Sequence, residues 1–261
     1  MEYHLGIDVT YDCNLKCKFC THLSGYLGGH VPIEKIEKQY EVWSKKVAPI
    51  TFGIVGGEPC LHPDLTELIL LTRRYWPSTV ECRLVSNGLL LHQCSTDVYA
   101  ALRQTGTHVI LSAHKSSTPP RWDETVHALN QYGIRYTIYD CWSRWYKPYR
   151  LEHCNISPYF SDPAVAWRSC MFGERCLMFQ DNMLYRCPLL SMFTLGYQAG
   201  VLGEEWKCLL NYEPLSASAN DEETLEWLND ACTRPHDLCG ICAEELVLCS
   251  EAEKFPDTVK R

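Results

Sequence analysis

Three cysteines lie close together near the start of the chain, with three residues between Cys13 and Cys17 and two between Cys17 and Cys20. A loop with this spacing can bring three thiolates to one centre, with no fourth ligand close by. A structural zinc site uses four ligands, commonly two C-x-x-C pairs, whereas a four-iron cluster takes one thiolate per iron. Three cysteines on such a cluster would leave one iron open to a substrate or cofactor. Spacing alone does not identify a metal, so buried structural cysteines and half of a zinc site stay open as alternatives.

A second motif, Gly56-Gly57-Glu58-Pro59, follows a short apolar segment at residues 51–55 that predicts a buried strand. A pair of glycines leaves the backbone bare, so that a ligand can approach it closely. A carboxylate beside such a pair suits an amino group. A plain turn is the alternative interpretation of the two glycines.

Taken together, the two motifs resemble those of the radical S-adenosylmethionine (radical SAM) enzymes. That family carries C-x3-C-x2-C after its first barrel strand, often with an aromatic residue before the last cysteine, and a Gly-Gly-Glu-Pro motif that binds the methionine amine of SAM. The resemblance implies that a reduced [4Fe-4S] cluster, supplied with electrons by a flavodoxin or ferredoxin, cleaves SAM to methionine and a 5′-deoxyadenosyl radical. That radical then abstracts a hydrogen atom from the substrate. The residues that the resemblance implies are Cys13, Cys17 and Cys20 for the cluster and Phe19, Gly56, Gly57 and Glu58 for SAM.

The composition is that of a globular protein, with 261 residues of which 46% are hydrophobic and 21% charged. The net charge is −8 with no basic block, which makes nucleic acid an unexpected partner. We expect neither a membrane span nor a signal peptide, and therefore a cytoplasmic protein. Sixteen cysteines are many for a reducing compartment, where they indicate metal or redox work rather than disulfides.

Strand-like and helix-like segments alternate along the first half of the chain, with about thirty residues per unit after the first. This alternation predicts parallel strands joined by right-handed crossovers. Five such units fill about 140 residues, whereas a full eight-unit barrel needs about 250. The predicted fold class is therefore α/β, a partial, open (β/α) TIM-like barrel. The predicted strands are residues 3–10, 51–55, 80–85, 108–111 and 134–139, and the predicted helices are 32–47, 63–75, 95–104 and 122–132.

Polar residues follow the predicted strands, where barrel enzymes carry their chemistry. Ser86 and Asn87 resemble by position the ribose-contacting strand end of the radical SAM family, and Ser112 occupies a similar position on the next strand. A simple turn is the alternative at Ser86-Asn87-Gly88. The candidates for substrate binding are His62, His114 and Arg144, each with a solvated or structurally satisfied side chain as the alternative.

A second group of cysteines lies beyond residue 150. Two apolar segments, residues 176–179 and 183–185, flank Gln180-Asp181-Asn182 and predict a hairpin. Cysteines before and after the hairpin, with a later C-x-x-C, make a four-thiolate site that suits zinc as well as iron–sulfur on spacing alone. The candidates are Cys170, Cys176, Cys187, Cys239 and Cys242.

This segment resembles the twitch domain, a short C-terminal extension of radical SAM enzymes built from a β-hairpin and a helix. The resemblance implies one auxiliary [4Fe-4S] cluster on Cys170, Cys187, Cys239 and Cys242, with Cys176 able to displace Cys170. Asn182 stands where the family usually has glycine, a mild departure because asparagine tolerates positive φ. We expect a radical SAM barrel at residues 1–150 and the twitch domain at 151–261.

The reaction is the least determined part of this interpretation. Twitch enzymes include an aminocyclitol dehydrogenase and sugar or aminocyclitol epimerases, so we expect a small polar substrate, with a two-electron oxidation favoured. The second candidate is an epimerase in which Cys249 or Cys176 returns a hydrogen atom. A peptide-modifying radical SAM enzyme and a non-enzymatic iron–sulfur or zinc protein are the remaining candidates. The Gly-Gly-Glu-Pro motif argues against the last, because an electron carrier needs no pocket for an amine.

Overall fold

The structure is a computed structural model that describes residues 2–114, 120–141, 145–152, 155–170, 172 and 175–249. The chain packs into two compact units. The α/β unit contains residues 5–14 and 28–144, and the C-terminal unit contains residues 1–4, 15–27 and 145–261. The predicted division at residue 150 lies a few residues after this boundary, and it does not anticipate that residues 15–27 belong with the C-terminal part.

Five strands lie side by side in chain order in the described part of the α/β unit. Pairing is parallel between the second and third, third and fourth, and fourth and fifth strands, as the βα alternation predicts. Within the described residues the first and fifth strands are not neighbours, so the five strands do not close on themselves. The strands are β1 (His4–Thr10, whose first residue falls in the other unit), β2 (Thr51–Gly56), β3 (Glu81–Ser86), β4 (His108–Ala113) and β5 (Tyr136–Asp140).

Helices connect these strands and bury one face each. On the first helix Ile36, Tyr40 and Trp43 recur at helical spacing and are fully buried. The ring of Tyr40 meets Phe52 of β2 edge-on at 5.3 Å, and Phe52 stacks on Trp76 at 4.7 Å. The aromatic core therefore joins helices to the sheet. The helices are α1 (Ile33–Trp43), α2 (Leu65–Tyr75), α3 (Thr96–Thr105) and α4 (Pro120–Gln131).

The predicted fold class is confirmed as an open, partial (β/α) arrangement, with differences only at element ends. The first helix stops at Trp43 rather than at residue 47, and Gly106 ends α3 in the left-handed conformation, with φ of 65°. The strand β4 continues to Ala113, two residues beyond the predicted end at residue 111, because Ser112 and Ala113 still pair with β5.

The C-terminal unit contains shorter elements. Strands β8 (Cys176–Gln180) and β9 (Met183–Tyr185) form the predicted antiparallel hairpin, and Asp181 and Asn182 take positive φ values of 50° and 62° at its turn. Asparagine and aspartate tolerate that region better than most residues, which explains the departure from glycine. The elements are β6 (Arg150–Glu152), β7 (Asn155–Ser157), α5 (Pro163–Arg168), β8 (Cys176–Gln180), β9 (Met183–Tyr185), α6 (Pro188–Gln198), β10 (Leu215–Ser216) and α7 (Asp221–Thr233).

An aromatic cluster forms the core of this unit. Phe193 of α6 lies 4.6 Å from Trp206 and 5.9 Å from Tyr149, measured between ring centroids. Phe19 reaches the same cluster through Tyr149 at 5.5 Å, and the fully buried Leu23 lies against Gly196. These apolar contacts are the reason that residues 15–27 pack with a part of the chain far away in sequence.

Candidate active site and cysteine-lined cavity

The cysteine loop follows β1, and Cys13, Cys17 and Cys20 are half-buried cysteines outside any disulfide. The boundary between the two units falls after Asn14, inside the loop. Phe19 takes a left-handed conformation, with φ of 60°. A bulky residue there costs about 1–3 kcal/mol, and the packing of its buried ring on Tyr149 offsets this cost. The Trp145 indole also donates to the carbonyl of Lys18 at 3.0 Å, which further fixes the turn before Cys20.

The glycine pair lets the ends of β1 and β2 approach closely. The N–H of Gly57 donates to the carbonyl of Thr10 at 2.7 Å, and the N–H of Glu58 donates to that of Asp12 at 2.8 Å. Gly56 has φ of 137°, and a Cβ atom on Gly56 or Gly57 would overlap the carbonyl oxygen of Thr10 or Asp12 respectively. Backbone packing alone thus requires glycine at both positions, whether or not a ligand also approaches them.

The Glu58 carboxylate is completely buried and accepts three hydrogen bonds from its own chain. Oε1 accepts from Ser86 Oγ at 2.8 Å and from the Cys60 N–H at 3.1 Å, and Oε2 accepts from the Asn87 N–H at 2.8 Å. Burial raises the pKa of Glu58 above its ordinary value, and these hydrogen bonds act in the opposite direction. The Cys60 thiol is a further donor to this carboxylate. Because a carboxylate has about four acceptor positions, an added ligand amine would share the carboxylate with these donors or displace one of them.

The turn Ser86-Asn87-Gly88 is anchored on several sides. Trp122 of α4 donates its indole N–H to the carbonyl of Asn87 at 3.0 Å, and Thr125 donates to that of Gly88 at 2.7 Å. The Asn87 side chain donates through Nδ2 to Oδ1 of Asn14 at 2.8 Å, and the same nitrogen lies 3.9 Å from Cys13 Sγ. Asn87, predicted to contact a ribose, therefore has its amide directed at the cysteine loop.

The remaining predicted polar candidates have different surroundings. Ser112 hydrogen-bonds the thiol of Cys141, and His114 is half-buried just beyond β4. Nδ1 of His62 accepts from the Asp64 N–H at 3.0 Å, so Nε2 donates to the carbonyl of Val31 at 3.0 Å. Burial lowers the pKa of His62, and a substrate contact would require the loss of one of these bonds. Arg144 lies outside the described residues.

A cavity of about 70 Å³ in the C-terminal unit is lined by Cys170, Cys187, Cys239 and Cys242. Most of the remaining lining is apolar, with Trp167 and Leu189 among it. Cys176 lies outside the described lining, although it is close to Cys170: burial, with Cys170 as a second cause, raises the pKa of its thiol to about 11. The structure thus brings together the four cysteines of the predicted auxiliary set.

The four thiols influence one another electrostatically. Burial raises the pKa of Cys187 well above its ordinary value, and Cys242, Cys170 and Cys239 raise it further. Burial likewise raises the pKa of Cys242 to about 12, together with Cys170 and Cys239. Without a metal the thiols of Cys187 and Cys242 therefore favour the protonated form, and a metal that binds them must displace their protons.

Local structure positions two of these cysteines and places a cation beside them. The Leu190 N–H of α6 points to Cys187 Sγ at 3.4 Å, and the His236 N–H points to Cys239 Sγ at 3.4 Å. Arg186, which also lines the cavity, donates through Nη2 to the carbonyls of Asp230 and Arg234 at 3.0 and 3.1 Å. Its Nη1 is buried and has no partner among the described residues.

Within the described ranges, no three histidine, cysteine, aspartate or glutamate side chains converge closely enough to hold a single metal ion. A four-iron cluster takes one thiolate at each iron, so its ligands surround a space rather than meet at a point. The cysteine-lined cavity has the second arrangement, in which the thiols surround a space.

Residues 7–140, which are 134 of the 261 residues, match the sequence model of the Radical SAM superfamily. The chain belongs to the radical SAM superfamily. Its cofactors are accordingly S-adenosylmethionine and a [4Fe-4S] cluster, and such enzymes need a reductant and act on small molecules or peptides. Over the part of the chain that the structure describes, no helix has both the length and the apolar character needed to cross a membrane.

Relatives of known name share only part of this radical SAM chain. A probable GTP 3′,8-cyclase from Pyrococcus abyssi is 34% identical over 104 residues, which cover 38% of this chain and 31% of that protein. A 7,8-dihydro-6-hydroxymethylpterin dimethyltransferase from Methanocaldococcus jannaschii is 34% identical over 89 residues, covering 33% and 17%. The chain therefore spans less than a third of the length of these relatives.

Among solved structures, that of BtrN in complex with AdoMet and 2-DOIA aligns with 98% of this chain and 98% of its own. The identity is 14% and the TM-score 0.49. The relatives' names describe different reactions, so membership of the radical SAM superfamily leaves the reaction of this chain open.

Proposed function

We propose that this protein is a radical SAM oxidoreductase that removes two electrons from a small polar substrate such as a sugar or an aminocyclitol. The observation that carries the proposal is the cavity lined by Cys170, Cys187, Cys239 and Cys242. Such a site would hold an auxiliary [4Fe-4S] cluster in a twitch domain at about residues 151–261, with every iron bound by a protein thiolate.

The SAM-binding cluster would be held by Cys13, Cys17 and Cys20, which leave one iron open. When bound, the cluster and SAM supply a 5′-deoxyadenosyl radical that takes a hydrogen atom from a C–H bond. Glu58 would accept a hydrogen bond from the SAM amine, which would share the carboxylate with the donors of its own chain or displace one of them. Gly56, Gly57, Ser86, Asn87 and Ser112, at strand ends, and Phe19, in the cysteine loop, are the further residues that we assign to SAM.

An oxidation of an alcohol to a ketone removes two hydrogen atoms from the substrate. One leaves as a hydrogen atom to form 5′-deoxyadenosine, and the other leaves as one proton and one electron. The proton can pass to solvent, but the electron needs an acceptor, which a fully ligated cluster would supply. The apolar side chains around the cavity would exclude water from it, and the Arg186 cation would offset the negative charge of four thiolates.

The electron that starts each turnover would come from a flavodoxin or ferredoxin. The described cysteines, fifteen in number, are all free thiols, which suits the reducing cytoplasm. Among the residues proposed to contact substrate, His114 and Arg144 are proposed only because of their positions in the sequence. The use of His62 would require the loss of a backbone hydrogen bond.

A redox-neutral epimerisation is the second candidate, in which Cys249 or Cys176 would return a hydrogen atom to the substrate. Cys249 is buried, and burial raises the pKa of Cys176 to about 11. The relatives named as GTP 3′,8-cyclases keep nucleotides open as a further class of small polar substrate.

The decisive experiment compares products after anaerobic reconstitution with iron and sulfide, followed by SAM, dithionite and candidate substrates. In the Cys239→Ala/Cys242→Ala variant we expect the loss of about four irons, partly retained SAM cleavage and no oxidised product. Cys208→Ala, a cysteine outside the described lining, is the matched control. A product two mass units lighter supports oxidation. An unchanged mass in ordinary water, with one deuterium incorporated when the reaction runs in heavy water, would instead support the epimerase.

A further inference from the structure

Two cysteines of the α/β unit, Cys60 and Cys94, lie next to each other although they are far apart in sequence. Cys60 belongs to a short 3-10 turn, Pro59–Leu61, between β2 and α2, and Cys94 lies between β3 and α3. Their side chains hydrogen-bond each other. Burial raises the pKa of Tyr99 to about 12, and Cys94 and Cys60 raise it further, so both thiols are near one phenol. Because β2 and β3 are neighbouring parallel strands, the two connections meet at the same edge of the sheet.

Other hydrogen bonds fix the position of each sulfur. Cys60 Sγ lies 3.7 Å from Ser86 Oγ, and its thiol also donates to the Glu58 carboxylate. Cys94 Sγ lies 3.9 Å from the carbonyl oxygen of Leu90, in the same connection as Cys94 itself. The single S–H of Cys60 therefore has two acceptors within reach, the Glu58 carboxylate and the sulfur of Cys94.

The two thiols differ in ionisation and in access to solvent. Donation to Cys94, burial and the Glu58 carboxylate all raise the pKa of Cys60. The same hydrogen bond lowers the pKa of Cys94, against the effects of burial and of Glu58. Cys94 is half-buried between the exposed residues Gln93 and Ser95. Because the thiolate is the nucleophilic form of cysteine, Cys94 is the member of the pair suited to attack, and Cys60 is the member that keeps its proton.

We propose that Cys60 and Cys94 form a reversible disulfide when the protein meets a small-molecule disulfide such as oxidised glutathione, with Cys94 as the attacking thiol. Redox-sensing cysteines are accessible and are often placed beside a second cysteine that completes the disulfide. In a reducing compartment such a disulfide is transient rather than structural. The proposal does not depend on the cluster assignments or on the reaction that the protein catalyses.

The oxidation takes two thiol–disulfide exchange steps. The Cys94 thiolate attacks one sulfur of the small disulfide, whose S–S bond breaks, and a small thiolate leaves. Cys60 then gives its proton to that thiolate, and its sulfur attacks the Cys94 sulfur of the mixed disulfide. The second small thiolate leaves as the bond between Cys60 and Cys94 forms. Two protein thiols are thus oxidised, and one small disulfide is reduced to two thiols.

The new bond requires a local movement of the two connections. A disulfide holds its sulfurs at about 2.05 Å, so the contact between the two thiols must shorten. Neither Cys60 nor Cys94 lies within a strand or an α-helix, so the movement breaks no strand pairing. Because a disulfide carries no S–H, Glu58 loses the Cys60 donor when the pair is oxidised.

The test is peptide mapping of the full chain, reconstituted anaerobically with iron and sulfide and incubated with mixtures of reduced and oxidised glutathione. After an acid quench, the remaining thiols are alkylated and the protein is digested with trypsin. Cys60 then falls in the peptide 47–73 and Cys94 in the peptide 84–103, each with a single cysteine. We expect the two peptides to be joined, lighter than their sum by the two hydrogen atoms that oxidation removes, and to separate in dithiothreitol.

Two variants test the order of the steps. Cys60→Ser should stop after the first step and carry glutathione on Cys94. Cys94→Ser leaves the protonated thiol of Cys60, so we expect it to take up at least about tenfold less glutathione at this site. Cys82 of β3, alone in the peptide 75–83, is the internal control and should not join either peptide.

Three results would contradict parts of the proposal. Absence of the joined peptides at every glutathione ratio would overturn the disulfide. Joining of Cys94 to Cys82 as readily as to Cys60 would show random oxidation and would overturn it as well. Equal glutathione uptake by the two variants would overturn the role of Cys94 as the attacking thiol. If either variant fails to fold, the wild-type map still decides whether the disulfide forms.

Discussion

Oε2 of Glu58 accepts a hydrogen bond of 2.8 Å from the backbone N–H of Asn87. The bond joins the chain just after β2 to the chain just after β3, and Ser86 binds the other carboxylate oxygen at 2.8 Å. Glu58 therefore holds two strand ends together, and it is also the carboxylate that we propose binds the SAM amine. Variants at this position should affect both properties.

Replacement of Glu58 by alanine should weaken SAM binding while leaving the cluster in place. The loss of a charge-assisted hydrogen bond to the SAM amine is worth roughly 1.5–3 kcal/mol, or about ten- to a hundred-fold in affinity. Three donors of the chain would also lose their acceptor, so the melting temperature should fall. Equilibrium SAM binding, iron content and thermal unfolding measure these effects, with the exposed Glu67→Ala of α2 as control. Unaltered SAM affinity would count against this site.

The three loop cysteines should be required for one cluster and for all SAM cleavage. The Cys13→Ala/Cys17→Ala/Cys20→Ala variant should lose about four irons per chain and form no 5′-deoxyadenosine. Because these thiols are only half-buried, the fold should survive, as circular dichroism can show. Cys208→Ala provides the comparison. Production of 5′-deoxyadenosine by the triple variant would contradict the assignment.

Arg186 should stabilise a negatively charged cluster in the cysteine-lined cavity. Arg186 lines the cavity together with the four cysteines, and its charge lowers the pKa of Cys239 against the larger effect of burial. Arg186→Gln should therefore lose the auxiliary iron faster when a chelator is added. Arg234→Gln, at an exposed arginine near the same Asp230, is the matched control. Equal rates of iron loss in both variants would show that the Arg186 cation is not needed to hold the auxiliary cluster.

Glu81 should give the protein part of its resistance to acid. Its carboxylate contacts His108 at 2.6 Å, Arg135 at 3.1 Å and Arg83 at 3.2 Å. Burial alone would raise the pKa of Glu81, but these partners outweigh it and lower the pKa to about 2. Because the unfolded carboxyl titrates near its ordinary 4.5, this stability is present above that pH and is lost as the pH falls towards 2.

The comparison is between wild type and Glu81→Gln in urea unfolding at several pH values. Wild type should be the more stable at neutral pH, and the two proteins should converge as the pH approaches 2. Glu67→Gln, in an exposed ion pair with Arg74, should show a much smaller effect. A stability difference that stays constant down to low pH would contradict the role of Glu81.

The elements of the fold were predictable because they depend on local patterns. Ile36, Tyr40 and Trp43 have helical spacing, and Asp181-Asn182 between two apolar segments specifies a turn. The packing of Phe19 on Tyr149 was not predictable, since nothing near either residue records a contact between positions so far apart in sequence. For the same reason the predicted domain boundary at residue 150 differs from the boundaries of the two compact units.

The candidate site was predictable in its residue types but not in its hydrogen bonds. Spacing identified the cysteines of the cavity, whereas the choice of Cys170 rather than Cys176 as a lining residue depends on tertiary packing. Both ring nitrogens of His62 are used by backbone groups, which a sequence motif cannot reveal.

The close approach of Gly56 and Gly57 to the carbonyls of Thr10 and Asp12 bears on how such motifs serve as markers of descent and activity. Because the backbone at the end of β1 excludes any side chain there, a pseudoenzyme that had lost all chemistry but kept the fold would still retain both glycines. In a survey of homologues, the glycine pair would therefore trace common ancestry. Positions that packing does not dictate would be the ones that separate active members from inactive ones.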